Sequence, residues 1–386
     1  MATPPPFPHI EQLIYLNHAA VAPWPRVTAE AVSRFAQENA YCGARNYPVW
    51  MKTEQRLKRN LATLINAPDA SDIALVKNTS EALSLVAYGL DWQVGDNIVI
   101  SDQEFPSNRI VWESLAQFGV AVRQVDLSAA ATPEEALLNQ IDQRTRLLSI
   151  SSIEYASGLK IRLASLGEFC RVRQIYFCVD AIQSIGAATL DVEAINADFV
   201  MADGHKWMLG PEGLALFYCR REVRDKLRLH QYGWHMVDPM GDYDNPEWRI
   251  ASSARRFECG SPNMLAIHAL DASITLLLNE GIARIEAAVV DNATFLIEAI
   301  KQRPALQLLT DDTPSRLGGI VTFKATEYDN RHLYQQLMNR NIICALRGGG
   351  IRFSPHFYTP KSQLIEAMQQ VDALIGECSA SRRGRG

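Results

Sequence analysis

The sequence lacks the short motifs that mark several common enzyme classes. HExxH, a Walker-type phosphate loop and GxGxxG are all absent, which removes the commonest metalloprotease, NTPase and dinucleotide-binding interpretations. The chain has seven cysteines but no CxxC pair. An odd number of cysteines without paired spacing is typical of reduced thiols rather than of a disulfide framework or a zinc site.

Long apolar runs and an excess of basic residues are also missing. No apolar run reaches the length of a membrane span, and the start, "MATPPPFPHIEQ", lacks the basic region and apolar core of a secretory signal. We therefore expect a cytoplasmic protein with no membrane partner. The net charge of −5 gives no support to a nucleic-acid-binding surface, so no nucleic-acid partner is expected.

The chain does have enough material for two domains, with 386 residues of which 47% are hydrophobic. Between about residues 49 and 220, amphipathic helix patterns alternate with short apolar strand patterns. This alternation predicts an α/β fold whose mostly parallel sheet is sandwiched by helices. Two long helix patterns, over residues 264–281 and 283–303, are followed by further strands and a closing helix. We predict a large domain over residues 15–260 and a smaller α+β domain over 261–386, joined by residues 1–14.

A loop-rich stretch interrupts this alternation before the second domain. It reads "HQYGWHMVDPMGDYDNPEWR" and is rich in Pro, Gly, Asp and Trp. Stretches of this kind and length are commonly functional loops. We expect it to cover either a site or a partner subunit.

A lysine stands on a predicted turn in "ADGHKWMLGPEGLALFY". Lys206 follows one apolar strand pattern and precedes another, so it would lie between two buried elements. A desolvated lysine loses its proton readily and becomes a nucleophile, as in Schiff-base lysines. The alternative is a lysine that extends from a surface turn into solvent, which is favoured for an isolated lysine.

Two further signals lie near predicted strand ends. In "KNTSEAL" the residues Asn78 to Glu81 have capping-box spacing, and Thr79 and Ser80 supply hydroxyls and backbone N–H groups that suit an anion. In "CVDAIQSIG" Asp180 ends an apolar strand pattern and Gln183 follows it. The alternatives are an ordinary capped helix and an aspartate that caps the next helix.

The remaining signals are a histidine and two arginines. His205 precedes the lysine in "GHK", and Arg347 and Arg352 flank a glycine run in "RGGGIR". A guanidinium offers a bidentate fork to a carboxylate. Taken singly, a histidine is usually structural and an arginine usually belongs to a surface salt bridge.

All of these groups together would suit one ligand that carries a phosphate, a basic ring nitrogen and an aldehyde. Pyridoxal phosphate has all three, and proteins equip it with a lysine and with an acid beside the ring nitrogen. The joint occurrence of these residues near strand ends therefore predicts a pyridoxal 5′-phosphate cofactor.

The same residues lie in blocks that resemble the class-V aminotransferases, a family of fold-type I pyridoxal-phosphate enzymes that includes cysteine desulfurases, selenocysteine lyases, cystine C–S lyases and isopenicillin epimerase-like proteins. The resemblance covers nearly the whole chain. Its blocks are "YLNHAAVAP", "NTSEAL", "SDQEFPSN", "SSIEYASG", "VDAIQSIG", "DGHKWMLGPEG", "FECGSPN" and "IRFSPHFY".

The resemblance implies a role for each matching residue. Lys206 would bind the cofactor aldehyde and move the Cα proton, Asp180 would pair with the ring nitrogen, and Gln183 would bond the ring phenolic oxygen. The phosphate would be held by Thr79, Ser80 and His205, and by Ser261 of a neighbouring subunit, which implies a homodimer with shared active sites. The substrate would be held by Arg352 at its α-carboxylate and lined by Asn17, Ala19 and Ala20.

Four positions depart from the family pattern. Asp203 stands where relatives usually have Ser or Thr, so it should either point away from the phosphate, toward a neighbouring donor, or belong to a differently arranged cup. Tyr155 stands where many relatives have Asn near the cofactor, so the resemblance implies that its hydroxyl substitutes for that amide in cofactor binding. Phe105 replaces a histidine that stacks on the cofactor ring; it can stack but cannot transfer a proton. "RGGGIR" lacks the cysteine that desulfurases carry between these arginines.

We therefore expect a cytoplasmic, dimeric enzyme that acts on an L-amino acid, by β-elimination at a carbon–sulfur bond of a cysteine derivative. Cys344 and Cys378 are expected to be packing residues, so a persulfide mechanism is not expected. The alternatives are an aminotransferase, an epimerase, and a catalytically silent ligand sensor built on the same fold.

Overall fold

The structure is a computed structural model that describes residues 6–8, 12–244 and 246–383, with side chains described up to residue 376. The helices are α1 (Arg26–Cys42), α2 (Tyr47–Leu64), α3 (Thr79–Gly89), α4 (Ser107–Glu113), α5 (Pro133–Asn139), α6 (Leu163–Arg173), α7 (Arg221–Arg224), α8 (Met264–Glu280), α9 (Ile282–Lys301), α10 (Asn330–Asn339) and α11 (Lys361–Arg383). The strands are β1 (Ile14–Tyr15), β2 (Ile73–Val76), β3 (Asn97–Ser101), β4 (Ala121–Val125), β5 (Thr145–Ser151), β6 (Tyr176–Asp180), β7 (Phe199–Asp203), β8 (Ala215–Cys219), β9 (Val237–Asp238), β10 (Arg249–Ile250), β11 (Leu306–Leu308), β12 (Val321–Ala325), β13 (Ile342–Ile343), β14 (Ala345–Arg347) and β15 (Gly350–Phe353).

A seven-stranded sheet organises the larger part of the molecule. Its strand order is β2-β8-β7-β6-β5-β3-β4. Strand β8 runs antiparallel to both of its neighbours, and the other pairings are parallel. Strands β3, β7 and β8 are buried along their whole length, as expected when helices cover both faces of a sheet. The predicted α/β class with a mostly parallel sheet is confirmed.

Most of the predicted elements of this sheet are present, with differences at its borders. Helix α1 precedes the alternation that the sequence showed from residue 49, and the edge strand β2 lies within that stretch but was not predicted. The sequence predicts one helix over residues 107–119. In the structure this segment is α-helical only to Glu113 and continues as a 3₁₀ helix to Phe118. Gly119 ends it in the left-handed conformation, with φ of 74°, which glycine adopts without steric cost.

A second, smaller unit contains a four-stranded antiparallel sheet of order β11-β12-β15-β14. Strand β1 pairs in parallel with β13, so the N-terminal segment joins this unit, and Ile14 and Leu16 lie in its core. Helix α8 is different, because Ile267, Leu270 and Ile274 pack into the core beside the large sheet. The division at residue 260 stays a prediction, and the packing of α8 favours a boundary farther along the chain.

The loop-rich stretch near residues 230–249 forms a small hairpin, in which β9 pairs with β10. Its aromatic residues include the exposed Tyr232, Tyr243 and Trp248, which line a cavity separate from that of Lys206. The segment therefore does not cover the lysine within this chain.

Among the described residues, no single helix is long and apolar enough to cross a membrane. Helices α8 and α9 meet such a test of length and composition only as a pair, and they meet at an angle of 83°.

Candidate active site

A cavity of about 370 Å³ lies at the carboxyl ends of β6 and β7, beside the N-terminus of α3. This is the edge at which open parallel sheets bind their ligands. Nearly all of the site residues predicted from the sequence line it: Ala19, Ala20, Thr79, Ser80, Phe105, Tyr155, Asp180, Gln183, His205, Lys206 and Arg352.

The turn between β7 and β8 holds Lys206 rigidly. The pairing of these two strands extends to Asp203 and Ala215, and within the turn the N–H of Gly210 donates to the carbonyl of Gly204 at 2.8 Å. Lys206 is only 8% exposed. Burial lowers the pKa of its amine to about 8, against the opposing effect of the Asp180 carboxylate. About a tenth of the amine is therefore neutral, and nucleophilic, at pH 7.

Asp180 ends strand β6 and is 2% exposed. Its Oδ1 accepts a hydrogen bond from the N–H of Ile182 at 3.1 Å. Burial raises the pKa of the carboxyl to about 6, while that hydrogen bond and the charge of Lys206 act against the rise. The side chain is thus mainly ionised at pH 7 and can pair with a cationic ring nitrogen.

Gln183 is oriented by two hydrogen bonds. Its Oε1 accepts from the indole N–H of Trp207 at 2.8 Å, and its Nε2 donates to the carbonyl of Ala19 at 3.1 Å. Trp207 is fully buried and directly follows Lys206. The side chain of Gln183 therefore connects the turn that carries Lys206, the end of β6 and the N-terminal segment.

The N-terminus of α3 supplies the polar end of the cavity. The predicted cap is present, since Oδ1 of Asn78 accepts from the N–H of Glu81 at 2.9 Å. The hydroxyl of Ser80 donates to that of Ser107 at 2.9 Å. Hydroxyls and free backbone N–H groups at a helix start suit a phosphate.

Asp203 is directed toward a neighbouring donor, one of the arrangements that the sequence left open. Its Oδ1 lies 2.9 Å from Nδ1 of His205, although neither atom has an aligned hydrogen-bond partner among the described residues. The backbone N–H of Asp203 donates to the hydroxyl of Thr79 at 3.1 Å. The carboxylate, the imidazole and the α3 cap thus form one connected group.

Arg352 reaches the cavity from β15 of the smaller unit. It is 2% exposed, and its Nη1 donates to the carbonyl of Tyr155 at 2.7 Å. Its Nε is buried and has no hydrogen-bond partner among the residues that the structure describes. Burial lowers the pKa of this guanidinium to about 10, with a smaller effect from Arg347, so it stays charged at neutral pH. A buried guanidinium with an unused donor is a natural partner for a carboxylate.

Two aromatic rings bound the cavity. Phe105 and Tyr155 are in edge contact, with ring centroids 5.2 Å apart. The amine nitrogen of Lys206 lies 5.5 Å from the centre of the Phe105 ring. Phe105 is therefore placed to stack on a group bound to the lysine.

Two buried glutamates beside these rings were missed by the sequence analysis. Glu104 accepts from the hydroxyl of Ser151 at 2.6 Å and from the amide of Asn108 at 2.8 Å. Burial raises the pKa of Glu104 to about 7, and burial together with the charge of Glu104 raises that of Glu154. The only available signal was their place beside Phe105 and Tyr155 in two motif blocks.

Ser107 and Ile182, which also line the cavity, were missed as well. Ser107 could have been found from its place at the start of a predicted helix.

Two predicted site residues lie outside the cavity lining. Ser261 lines a separate cavity with Lys77 and Glu81, so within one chain it does not reach Lys206. Asn17 forms a parallel bridge with Ser354, and its buried Oδ1 has no hydrogen-bond partner among the described residues. Their predicted roles stay predictions.

The residues present fit a phosphorylated aldehyde with a basic ring nitrogen. A neutralisable amine, an ionised carboxylate and an anion-binding helix start converge on one cavity, and the buried Nε of Arg352 has no hydrogen-bond partner within the described part of the chain. This set defines the class of pyridoxal-phosphate enzymes.

Comparison with known proteins agrees with this class. The family model described as aminotransferase class-V matches residues 14–358. A cysteine desulfurase of Pectobacterium carotovorum is 30% identical over 398 residues, covering 95% of each chain. An isopenicillin N epimerase of Streptomyces clavuligerus is 28% identical over 384 residues, covering 95% of this chain and 96% of its own.

Among solved structures, a complex of the cystine C–S lyase C-DES with its product cysteine persulfide superposes with a TM-score of 0.87 at 24% identity, covering 95% of this chain and 98% of that one. The chain belongs to the class-V aminotransferase family. It is a pyridoxal-phosphate enzyme, and the family, fold class and cofactor predicted from the sequence are confirmed.

Proposed function

We propose that this enzyme is a carbon–sulfur lyase that acts by β-elimination on a cysteine derivative. The observation that carries the proposal is the convergence of Lys206, Asp180 and Arg352 on one cavity. The β14–β15 hairpin, from which Arg352 reaches this cavity, contains no cysteine. The relatives named as a desulfurase and the structural neighbour named as a C–S lyase support sulfur chemistry. Aminotransfer and epimerisation are the alternatives.

The bound cofactor supplies an electron sink for the electrons left on the substrate Cα. Lys206 is the base that takes the Cα proton. Its lowered pKa of about 8 leaves a far larger neutral fraction at pH 7 than an ordinary lysine has, and the neutral amine can accept a proton as general base catalysis requires. The rigid turn keeps the amine facing the cavity.

Asp180 and Gln183 would set the protonation and hydrogen bonding of the cofactor ring, and so its capacity to withdraw electrons. The Asp180 carboxylate would keep the ring nitrogen protonated. Placed about 4 Å away at an effective dielectric constant of about 20, it contributes roughly 4 kcal/mol to that protonation. Gln183 would bond the ring phenolic oxygen with the remaining amide hydrogen. Phe105 would stack on the ring and exclude water from one face.

Arg352 would bind the α-carboxylate of the substrate through its free donor. Arg347 also lines the cavity, from the end of β14, and it adds a second cation at the mouth. Ala19 and Ala20 leave room beside these arginines for the substrate. Thr79, Ser80 and His205 would hold the phosphate.

The hairpin between the two arginines supports elimination without a protein thiol. Strands β14 and β15 pair up to Arg347 and Gly350, which leaves only Gly348 and Gly349 in the turn. Cys344 is 1% exposed, and burial raises the pKa of its thiol to about 12, so it is a packing residue. The side chain of Cys378 lies outside the described residues.

Elimination then breaks the Cβ–S bond as the Cα proton leaves. The sulfur departs as a thiolate and takes up a proton, and water hydrolyses the remaining three-carbon unit to pyruvate and ammonium. Atoms balance with one water consumed for each thiol, pyruvate and ammonium released. No oxidant or reductant is needed.

We propose a homodimer in which Ser261 completes the phosphate site of the second copy. Support comes from its position on a separate cavity and from the resemblance of "FECGSPN" to the family block. A cytoplasmic location also stays a proposal.

The decisive experiment mixes the enzyme with cysteine, cystine, S-substituted cysteines, their sulfoxides and several ordinary amino acids. We expect pyruvate release, with the visible absorbance of the lysine-bound cofactor restored after turnover. Lys206→Ala should release none. Absence of pyruvate from every sulfur substrate contradicts the proposal, and bleaching that a keto acid reverses would indicate an aminotransferase.

A further inference from the structure

The phosphate end of the cavity contains a carboxylate, which is an unfavourable group to place beside an anion. Asp203 is 6% exposed and lines the same cavity as Thr79, Ser80 and His205. Two like charges at close range in a buried site repel strongly. A carboxylate at this position therefore needs a cation between it and the phosphate.

His205 is the group in that position. Its Nδ1 lies 2.9 Å from Oδ1 of Asp203, and both atoms are buried without an aligned hydrogen-bond partner in the described part of the chain. A carboxylate only accepts hydrogen bonds, so this contact requires a proton on Nδ1. A fully ionised phosphate oxygen also only accepts, so a bond from Nε2 requires a second proton there.

We propose that Asp203 is a positioning residue that keeps His205 in the doubly protonated, cationic form, so that the imidazolium bridges the Asp203 carboxylate and the cofactor phosphate. The inference rests on the proposed placement of the phosphate beside His205. It places a positive charge on the donor of the hydrogen bond to the ionised phosphate, so that both partners of the bond are charged and the bond is stronger.

Hydrogen bonds to neighbouring residues hold the backbones of Asp203 and His205 in place. The backbone N–H of Asp203 is bound to the Thr79 hydroxyl, and the carbonyl of His205 accepts from the N–H of Ala22 at 2.8 Å. The other charged groups on the cavity wall are Asp180, Lys206, Arg347 and Arg352. In the proposed site, Lys206 and Asp180 contact the cofactor ring and its aldehyde, and the two arginines lie on the substrate side. Asp203 and His205 are therefore the charged pair on this wall that would contact the phosphate.

The direction in which Asp203→Asn changes the affinity for pyridoxal phosphate distinguishes this inference from simple repulsion between Asp203 and the phosphate. If Asp203 acts through His205, Asp203→Asn weakens pyridoxal phosphate binding by roughly tenfold, because the hydrogen bond from His205 to the phosphate loses the positive charge of its donor. If Asp203 is only a like charge near the phosphate, the same substitution tightens binding. Pyridoxal, which lacks the phosphate, is the control ligand, and its affinity should not change.

Four proteins complete the test: the wild type, Asp203→Asn, His205→Asn and the double variant, each titrated with both ligands at pH 7.5. We expect Asp203→Asn to weaken phosphate-dependent binding only when His205 is present, and to tighten it in the His205→Asn background. Unchanged pyridoxal binding shows that each variant retains its fold.

The two possible failures are distinguishable. If His205→Asn weakens pyridoxal phosphate binding but Asp203→Asn does not, the placement of the phosphate stands and the inference is wrong. If His205→Asn changes nothing, the phosphate lies elsewhere and the site assignment fails with it.

A spectroscopic readout is independent of affinity. In the holoenzyme, the ¹⁵N signals of His205, assigned by their loss in His205→Asn, should be those of an imidazole protonated on both nitrogens, and Asp203→Asn should convert them to a neutral tautomer. A neutral ring in the wild-type holoenzyme overturns the proposal.

Discussion

At the scale of single residues, the chemistry of this site is set by burial. The same desolvation that lowers the pKa of Lys206 to about 8 raises that of Asp180 to about 6. Burial disfavours the charged form of each group, and the remaining attraction between them limits both shifts. The pair therefore presents a partly neutral amine beside an ionised carboxylate at neutral pH.

This balance predicts the pH dependence of cofactor capture. Only the neutral amine of Lys206 adds to an aldehyde, so the rate should rise with pH and level off above about 8, well below the value of about 10.4 for an ordinary lysine. The measurement is the rate at which visible absorbance appears when apoprotein is mixed with pyridoxal phosphate. Asp180→Asn should move the midpoint to lower pH, because it removes the group that favours the ammonium. A midpoint above pH 10 would contradict this account.

The sequence predicted these residues well where chemistry required a particular side chain. Lys206, Asp180 and Arg352 were found because an amine, an acid and a guanidinium near strand ends have few other joint explanations. Glu104 was missed, because its role depends on burial among Ser151 and Asn108. A sequence pattern shows which residue types are present but not how deeply each one is buried.

At the scale of elements, the close approach of two turns positions Gln183. Gly186 has φ of +99°, and a Cβ at this position would lie 2.3 Å from the carbonyl oxygen of Trp207. Only glycine permits this contact, and Trp207 holds the amide of Gln183. The fixed orientation of Gln183 thus depends on a missing methyl group.

We predict that Gly186→Ala lowers both stability and cofactor affinity. The added methyl must displace the Trp207 turn, at a cost on the order of 2–3 kcal/mol or more in the free energy of unfolding. Denaturant unfolding and titration with pyridoxal phosphate measure the two effects. Gly213→Ala is the matched control, because its φ is +83° but a Cβ there has nothing within 4 Å. It should cost only about 1 kcal/mol, and equal losses in both variants would contradict the contact.

Periodic elements were predicted better than short or edge elements. Helices α8 and α9 were identified almost to their ends, because long apolar periodicity is a strong signal. Strand β2 has four residues and pairs only with β8, so its pattern was too short to separate from a loop. The place of α8 beside the large sheet depends on tertiary packing that no local pattern records.

At the scale of the whole molecule, the proposed dimer makes each active site a joint product of two chains. Lys206, Asp180 and His205 line one cavity, and Ser261 lines another. If Ser261 completes the site of the partner, chains damaged at different residues can restore one another.

The test mixes Lys206→Ala with Ser261→Ala chains under conditions that exchange subunits. Random pairing makes about half of the dimers mixed, and each mixed dimer has one intact site of two, so the mixture should show about a quarter of the wild-type activity. The remaining Ser261→Ala homodimers add about a quarter of whatever activity that variant has alone. Mixing Lys206→Ala with Asp180→Asn is the control. Both residues line the cavity of their own chain, so each site of a mixed dimer carries one substitution and the same exchange should restore no activity. Rescue equal to that of the first mixture would argue against shared sites.

The two-glycine turn between β14 and β15 determines the fate of the sulfur in the proposed reaction. Gly348 and Gly349, with φ of +57° and +78°, leave the turn without a side chain that could take up the departing atom. The sulfur would leave as a small diffusible molecule, so the enzyme would need no acceptor protein at the cavity mouth. The released sulfur compound would be available to any molecule that it reaches by diffusion, rather than being transferred directly to one acceptor protein.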